Sequence, residues 1–579
     1  MTVAASGPVF SLREIPFSYR GSWFGFSPVI AQKTYAPDVH LVSHQTGMHP
    51  ILRLAPSAES DVTATPHQLT WSRADGRIDL AYENADTVRL RGRGLGLSLL
   101  AADPALTPFS GPYFYQDPVD GSFVFTVYQT GRRYRITVLA GQAEARGAQA
   151  LGTAERGVVL NGEWEIAVEE YETARAPYAR TDAFEQVAAA ARAEFDAFTA
   201  AVAPWRSDRT PAAELAAYVL WSATVRPAGF VTRPAVLMSK HWMDKVWSWD
   251  HCFNAIALAD GLPDLAWDQF RLPFDHQDDA GALPDSVTHS EILYNFVKPP
   301  IHGWALRGLP PAAEPEEVYR LLERWTTFWL TARRVPGGEL PHYQHGNDSG
   351  WDNATTFDPE RVVETADLAA FLVLQLRELA RRAPDPAAAA HWSGAADRMR
   401  DALLAELWTG DRFVARGANS GRTWSSSSLL DLMPIVLGDE LPEPVHTALA
   451  ARIAAHLTAF GPATEHPESE HYQDDGYWRG PIWAPSTVLI EDGLRRAGHV
   501  ELADEISARF RGLCERSGFA ENFDARTGEG LRDRAYTWTA SAYLILAAAD
   551  ERRHEQRTQP AETAETAETA ALTRPRTPA

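Results

Sequence analysis

Hydrophobic and polar positions alternate along the first third of the chain and then change period. In "SFVFTVYQTGRRYRITVLAG", residues 122–141, two alternating runs flank Thr130, Gly131 and Arg132, which predicts a β-hairpin. "EWEIAVEEY", residues 163–171, sets Trp164, Ile166 and Val168 against acids, the pattern of a strand with one buried face. From "DAFEQVAAAARAEFDAFTAAVAPW" (182–205) onward the period is helical. Leu368, Phe371, Leu372, Leu376 and Leu379 share one face of "TADLAAFLVLQLRELARRA". Leu502, Ile506, Phe510 and Leu513 share a face of "ELADEISARFRGLCERSG", which stops at Gly518 as at a C-terminal cap. Around "ERWTTFWL" (323–330), Val318, Leu321, Leu322, Trp325 and Trp329 fall at helical spacing, a core stripe. The reading is a mainly α protein. An antiparallel β-sandwich domain spans 1–180, a helical linker 181–214, a helical domain 215–555, and a tail 556–579 whose "AETAETAETAALTRPRTPA" buries too little to order itself.

Charge narrows the partners. With 76 acidic against 54 basic residues, a formal charge of −22 repels phosphate backbones and anionic lipid, so nucleic acid and membrane surfaces are not expected and a small molecule is. No stretch of about twenty apolar residues reads as a membrane span. Cys252 and Cys514 make neither a disulfide framework nor a metal knuckle, and "MTVAASGPVFSLREIPF" lacks the basic and apolar regions of a signal peptide, so a cytoplasmic location is expected. No HExxH-type spacing exists; His251, His345 and His471 are read as polar lining, and neither a catalytic metal nor a cofactor is expected. "DARTGEG" offers oxygen ligands without the EF-hand spacing, which leaves a structural calcium open; oligomeric state is not legible.

The 19 tryptophans concentrate in short runs, and three of these, "HWMDKVWSWDHCF" (241–253), "GYWRGPIWAP" (476–485) and "AYTWTA" (535–540), keep polar company. A sugar site needs such company: flat apolar faces for C–H surfaces and polar groups for hydroxyls. "SWDHCFN", "NDSGWDN" (347–353), "YWRGPIW" and "ENFDARTGEG" (521–530) fall in loops or at helix starts, where a ring of helices would bring them together. Asp352 and Glu521 then offer an acid for the leaving oxygen and a base for water. Alone, Asp352 reads better as a helix cap; Asp348 competes with it for the acid role but reads better as a turn residue or supporting partner. Asp250 reads as a hydroxyl-binding carboxylate or a helix-start acid, Arg479 as a ligand or an ion-pair arm. In "IPFSYRGSWFGFSP" (15–28), Tyr19, Arg20 and Trp23 either wall the pocket or pack between domains.

These motifs carry a resemblance over about residues 215–550. The helical domain resembles the (α/α)6 barrel of glycoside hydrolase family 63, which includes processing α-glucosidase I and bacterial mannosylglycerate and glucosylglycerate hydrolases, with a more distant likeness to family 37 trehalases. "SGWDN" matches the segment of the general acid, which implies that role for Asp352, and "ENFDARTGEG" the segment of the general base, which implies it for Glu521. "WSWDHCFN" and "YWRGPIWAP" match sugar-subsite segments, implying Trp249, Asp250, Tyr477, Trp478, Arg479 and Trp483 as binding residues, with Trp351 beside the acid. The resemblance implies an inverting hydrolase of an α-linked sugar: an α-glucoside or α-mannoside, hexosylglycerates and short oligosaccharides included. One departure stands out: many relatives carry glutamine before the double proline of "NFVKPPIHGWA", and here Lys298 either meets an anionic aglycone or pairs with an acid. The alternatives are another helical-barrel sugar enzyme, a phosphorylase or lyase, of which a phosphorylase has no use for the base, and a non-catalytic carbohydrate-binding protein, which has no reason to keep the acid and the base together.

Overall fold

The computed structural model describes residues 7–31, 34–103, 105–107, 109–148, 152 and 154–558. Two antiparallel sheets form the N-terminal part. One has seven strands in the spatial order Phe17–Ser18, Phe24–Ala31, Thr34–Ser43, His49–Pro56, Leu97–Ala101, Gly157–Leu160, Ala143–Arg146. The other has eight, from Pro112–Gln116 through Phe123–Val127, Arg132–Ala140, Trp164–Tyr171, Thr87–Arg93, Gly76–Asn84 and Gln68–Arg73 to Asp61–Thr65. Alternation puts Phe24, Phe26, Leu41, Leu52 and Leu54 of the first sheet into one core with Leu80, Leu90, Phe125, Tyr134 and Ile136 of the second. The expected hairpin is present: Val127 pairs with Arg132 across Gly131, whose φ of +64° suits glycine. The strand Trp164–Tyr171 departs from simple alternation, because Glu169 and Glu170 are buried as well. Arg135 satisfies Glu169 at 2.7 Å, and Tyr134 and Gln45 donate to Glu170, so the acids enter the interior as paired groups.

The rest of the described chain is predominantly helical. The helix Ala366–Arg382 buries far more than the one face expected, with Ala369, Ala370, Val373 and Leu374 also enclosed, because neighbours cover it on several sides. Val500–Ser517 ends at Gly518 in the left-handed region, as its sequence predicts. Trp325 and Trp329 are fully buried in Pro315–Ala332, matching the stripe expected there. The last helix, Thr537–Thr558, packs against Ala213–Ala223, Asp250–Leu258, Ala484–Arg496 and Val500–Ser517, so the end of the helical part returns to its beginning. Of the expected tail, 556–558 continue that helix, and 559–579 lie outside the described residues. No described helix is long and apolar enough to cross a membrane.

Tyr19, Arg20 and Trp23 belong to the joint between the sheets and the helices, which corrects their reading as sugar ligands. Trp23 is 1% exposed, packs with Val225, Leu237, Val246 and Leu272, and donates from its indole to the Arg226 carbonyl at 3.0 Å. Tyr19 stacks on Tyr82, meets Trp221 edge-on and hydrogen-bonds Glu194, while the Arg20 guanidinium lies 5.8 Å from the Phe198 ring. The aromatic content of this segment serves packing between two layers rather than a ligand. Trp23→Ala is therefore expected to lower the unfolding free energy by about 3–5 kcal/mol in urea titration. KM for the best sugar substrate should stay within about twofold, because no contact to the ligand is lost; a large rise in KM with unchanged stability would return Trp23 to the binding surface.

Candidate active site

Six separate stretches of the chain meet at one pocket. Its cavity of about 230 Å³ is lined by Trp249, Asp250, Asp285, Lys298, Asp352, Tyr477, Trp478, Trp483, Tyr536 and Trp538, with Met243, Trp247 and Phe296 among its other walls. Larger clefts elsewhere have no comparable wall of indoles: two, of about 390 and 410 Å³, are bordered mostly by arginines and glutamates, and one of about 480 Å³ mostly by serines, histidines and arginines. The pocket near residue 352 has the chemistry of a sugar site although it is the smaller space.

Local structure explains each segment. A short 3-10 turn at Gly346–Ser349, capped by the His345 ring accepting from the Asn347 amide, carries the chain to Gly350. Gly350 has φ +74°, and a Cβ there would lie 2.5 Å from the Trp249 indole, so the glycine lets that ring close over the loop. Asp348 accepts hydrogen bonds from Arg333, the Gln344 amide and the Val297 amide and is fully used in fixing the turn. Asn353 then locks the loop onto the distant "GYWRG" segment: its amide donates to the Gly476 carbonyl at 3.0 Å, and its oxygen accepts from the Trp478 amide at 2.9 Å.

That clamp holds Tyr477 at φ +63°, one of two described non-glycine residues with positive φ; the other, Arg532, places its guanidinium 4.9 Å from the Tyr477 ring. Strain of this kind costs about 1–3 kcal/mol and persists where the surroundings over-determine it. Here the Trp483 indole also binds the Tyr477 carbonyl at 2.8 Å. Trp478 and Trp483 stack at 4.1 Å with planes 6° apart, Trp538 meets Trp483 edge-on at 5.5 Å, and Trp249 meets Trp538 at 5.7 Å. Trp351 lies behind this wall, 4.6 Å from the Trp478 ring and nearly fully buried, so it supports the surface and is not among the residues lining the pocket. Arg479 turns away from the pocket: it donates to the Asn353 carbonyl at 2.7 Å and pairs with Asp358 at 2.6 Å, which makes it the ion-pair arm and corrects its reading as a sugar ligand. His251 is likewise structural, bound to the Val236 carbonyl at 2.8 Å and held neutral by burial at a pKa of about 4.

Sequence reasoning missed Asp285. Its surroundings, "GALPDSV", hold no aromatic residue, but the strand Ser286–Val287 pairs with Val246–Trp247 and so delivers Asp285 beside the tryptophan run. Tyr536 and Trp538 were legible only as a tryptophan-bearing run; they enter the pocket at the start of the last helix.

The carboxylates crowd. Lys298, fully enclosed, donates to the Asn347 carbonyl at 2.9 Å and lies 3.2 Å from Asp285 and 3.9 Å from Asp352. Burial alone would lower its pKa, but Asp352, Asp285 and Asp250 outweigh that and hold it above the ordinary lysine value. Of the two readings of Lys298, the structure shows the pairing with acids. Burial raises Asp352, and Lys298 and a hydrogen bond from Tyr477 pull it partly back. Asp250 is pushed by burial to about 8, which leaves a neutral carboxyl able to donate to a hydroxyl; its Oδ2 has no protein partner among the described residues. Glu521 sits at the strand Asn522–Phe523, which is bridged to Ile482 by two backbone hydrogen bonds. It is 1% exposed, its Oε2 is unpartnered among the described residues, and burial with the neighbouring Asp533 raises it to about 8. Glu521 is not itself a pocket-lining residue, yet the field of Asp352 reaches it and adds to that rise, and both carboxylates act on the Tyr477 hydroxyl.

The close packing at Gly350 makes a direct test. Gly350→Ala is expected to lose about 1–2 kcal/mol of stability from the left-handed backbone. Displacing Trp249 should also lower kcat/KM by roughly 10²-fold, the scale of a 1 Å misplacement at a reacting centre. Unchanged kinetics in a folded variant would show that the Trp249 position is immaterial.

The comparisons with known proteins fit this geometry. Residues 243–539 match the mannosylglycerate hydrolase MGH1-like glycoside hydrolase domain, a span that contains every pocket residue named above. The mannosylglycerate hydrolase of Rubrobacter radiotolerans is 25% identical over 420 residues, covering 55% of this chain and 92% of that protein. Among solved structures, the GH63 mannosylglycerate hydrolase from Thermus thermophilus in complex with glucose aligns with TM-score 0.50 at 20% identity over 57% of this chain and 98% of that one. A bacterial glucoamylase complexed with acarbose aligns with TM-score 0.57 at 13% identity over 95% of this chain and 96% of that one, a likeness of fold that takes in the N-terminal sheets as well as the helices. The chain belongs to the mannosylglycerate hydrolase MGH1-like family of glycoside hydrolases, in keeping with the family 63 resemblance of its motifs, and is a glycosidase.

Proposed function

We propose that the protein hydrolyses an α-linked hexoside with inversion, Asp352 serving as general acid and Glu521 as general base. The observation that carries this is the pair itself: a half-buried Asp352 lining a pocket walled by indoles and a buried Glu521 behind it, with the field of Asp352 reaching Glu521. In the reaction the Asp352 proton passes to the glycosidic oxygen as the C1–O bond breaks. Water attacks C1 from the opposite face and gives its proton to Glu521, leaving a β-configured sugar and a free alcohol. Trp249, Trp478 and Trp483 present the surfaces for the sugar's C–H faces, and Asp250 a hydroxyl partner. A phosphorylase would have no use for Glu521, and a binding module would have no reason to keep the two carboxylates together. The names of relatives put hexosylglycerates first among candidate substrates, with simple α-glucosides and α-mannosides beside them.

The same reading extends to architecture. The return of the last helix to Ala213–Ala223 supports a closed double ring of helices, the (α/α)6 barrel, over 215–555, with the sandwich over 1–180 and a helical linker over 181–214. Asp352→Asn and Glu521→Gln, which keep shape, should each lower turnover by roughly 10²–10⁴-fold while substrate binding survives. On the best member of a panel of α-glucosides, α-mannosides and hexosylglycerates, proton NMR should show the β anomer first. Wild-type turnover in either variant, or initial release of the α anomer, would overturn the assignment.

A further inference from the structure

The two carboxylates have opposite electrostatic neighbours, and in the sense contrary to their roles. The acid adjoins a cation. Lys298 stands 3.9 Å from Asp352, anchored by Asp285 at 3.2 Å and by the Asn347 carbonyl at 2.9 Å, so its charge cannot swing away. The base adjoins an anion. The Glu521 amide binds the Asp533 carbonyl at 2.7 Å, and the Asp533 side chain, without exposed surface, is kept ionised against its burial by His241 at 3.1 Å and by the Ser239 hydroxyl. A nearby cation favours the ionised carboxylate and a nearby anion the protonated one.

We propose that the resting site works in reverse protonation: the single proton shared by the pair resides mainly on Glu521, and the productive form, with the proton on Asp352, is its minor tautomer. This rests on the acid and base roles proposed above and adds how the site distributes charge between them. The other groups facing Asp352 are Asp285, Asp250, Tyr477, His345 and Glu521; those facing Glu521 are Asp533, Arg532, Asp352, Tyr477 and Tyr536. Arg532 opposes Asp533, but it is already engaged by Asp475 at 2.6 Å and by Asn522 at 3.1 Å. Burial raises both carboxyls, Glu521 to about 8 with Asp533 adding to the rise, whereas Lys298 draws Asp352 back down.

The arrangement has a chemical use. Lys298 makes Asp352 a stronger acid toward a poor alcohol leaving group, and Asp533 makes Glu521 a stronger base toward water; each gain offsets part of the roughly tenfold loss of productive tautomer per pH unit of inversion. Hydrolysis moves a proton from Asp352 to the leaving oxygen and another from water to Glu521. The chemical step therefore ends in the stable proton arrangement, Asp352 ionised and Glu521 protonated, and the proton must return to Asp352 before the next turnover.

Two measurements on the full chain decide it. Neutron diffraction from crystals near neutral pH should place the deuteron on Glu521; a deuteron on Asp352 would overturn the inference. In pH profiles of kcat/KM, Lys298→Met should raise the acidic limb by about one pH unit or more while the alkaline limb stays, because Asp352 then sets the acidic limb. With the ordinary arrangement the alkaline limb would rise instead, and that result would also overturn it. Lys298→Gln serves should the methionine variant not fold. Failure of the underlying reading looks different: Asp352→Asn would keep wild-type turnover, whereas a crippled Asp352→Asn with a rising alkaline limb in Lys298→Met removes only the inverted distribution.

Discussion

The side-chain amide of Asn353 closes two hydrogen bonds onto a loop more than a hundred residues away, and the rest of the site depends on that clamp. Next to it in sequence stands Asp352, and across it stand Tyr477 and Trp478. Because the clamp binds backbone on both sides of Tyr477, it fixes this residue in a conformation that a side chain ordinarily avoids. The stacked pair Trp478 and Trp483 then follows, and two backbone hydrogen bonds between Ile482 and Phe523 carry the same rigid unit to Glu521. Asp352, the aromatic floor and Glu521 are thus positioned by one connected set of short-range bonds, although the sequence separates the two carboxylates by 169 positions.

Rigidity alone would not make such a pocket tolerable. Asp250, Asp285, Asp352 and Glu521 are all held in or beside one small cavity, with Lys298 as the one cation lining it among the described residues. Carboxylates so enclosed cannot all ionise; burial and mutual repulsion leave Asp250 and Glu521 as poor acids near neutral pH. This crowding is costly to folding and useful to chemistry, since a pair of carboxylates in unlike surroundings is what acid–base catalysis requires. The stabilising interactions lie in the layer around the pocket: Arg479 with Asp358, Asp348 with Arg333, Asp533 with His241.

Much of this was legible in the residues. The change of period near residue 180 separated sheets from helices; the motifs around Asp352, Trp249 and Trp478 pointed to segments that line one pocket, and the motif of Glu521 to one that packs behind it. Three things were not legible, each for a physical reason. Asp285 reaches the pocket through a strand whose partner, Val246–Trp247, lies far back in the sequence, and its own neighbours carry no chemical signal. Arg479 sits inside a sugar-site motif, yet its orientation is decided by Asp358, a residue of the loop beyond the acid. Tyr19, Arg20 and Trp23 look like a sugar wall because an interface between a sheet layer and helices uses the same aromatic and polar residues as a carbohydrate surface does. Local composition shows that aromatic faces are needed; only the packing shows what they face.

The central claim is that water is activated by Glu521 on the side of the sugar opposite Asp352. A crystal structure of Glu521→Gln with an intact α-hexoside tests it most directly. The side chains at positions 521 and 352 should then stand on opposite sides of C1, roughly 6.5–9.5 Å apart, with an ordered water between the introduced carboxamide and the anomeric carbon. A separation of about 5–5.5 Å with no room for that water, the geometry of a nucleophile rather than a base, would contradict it.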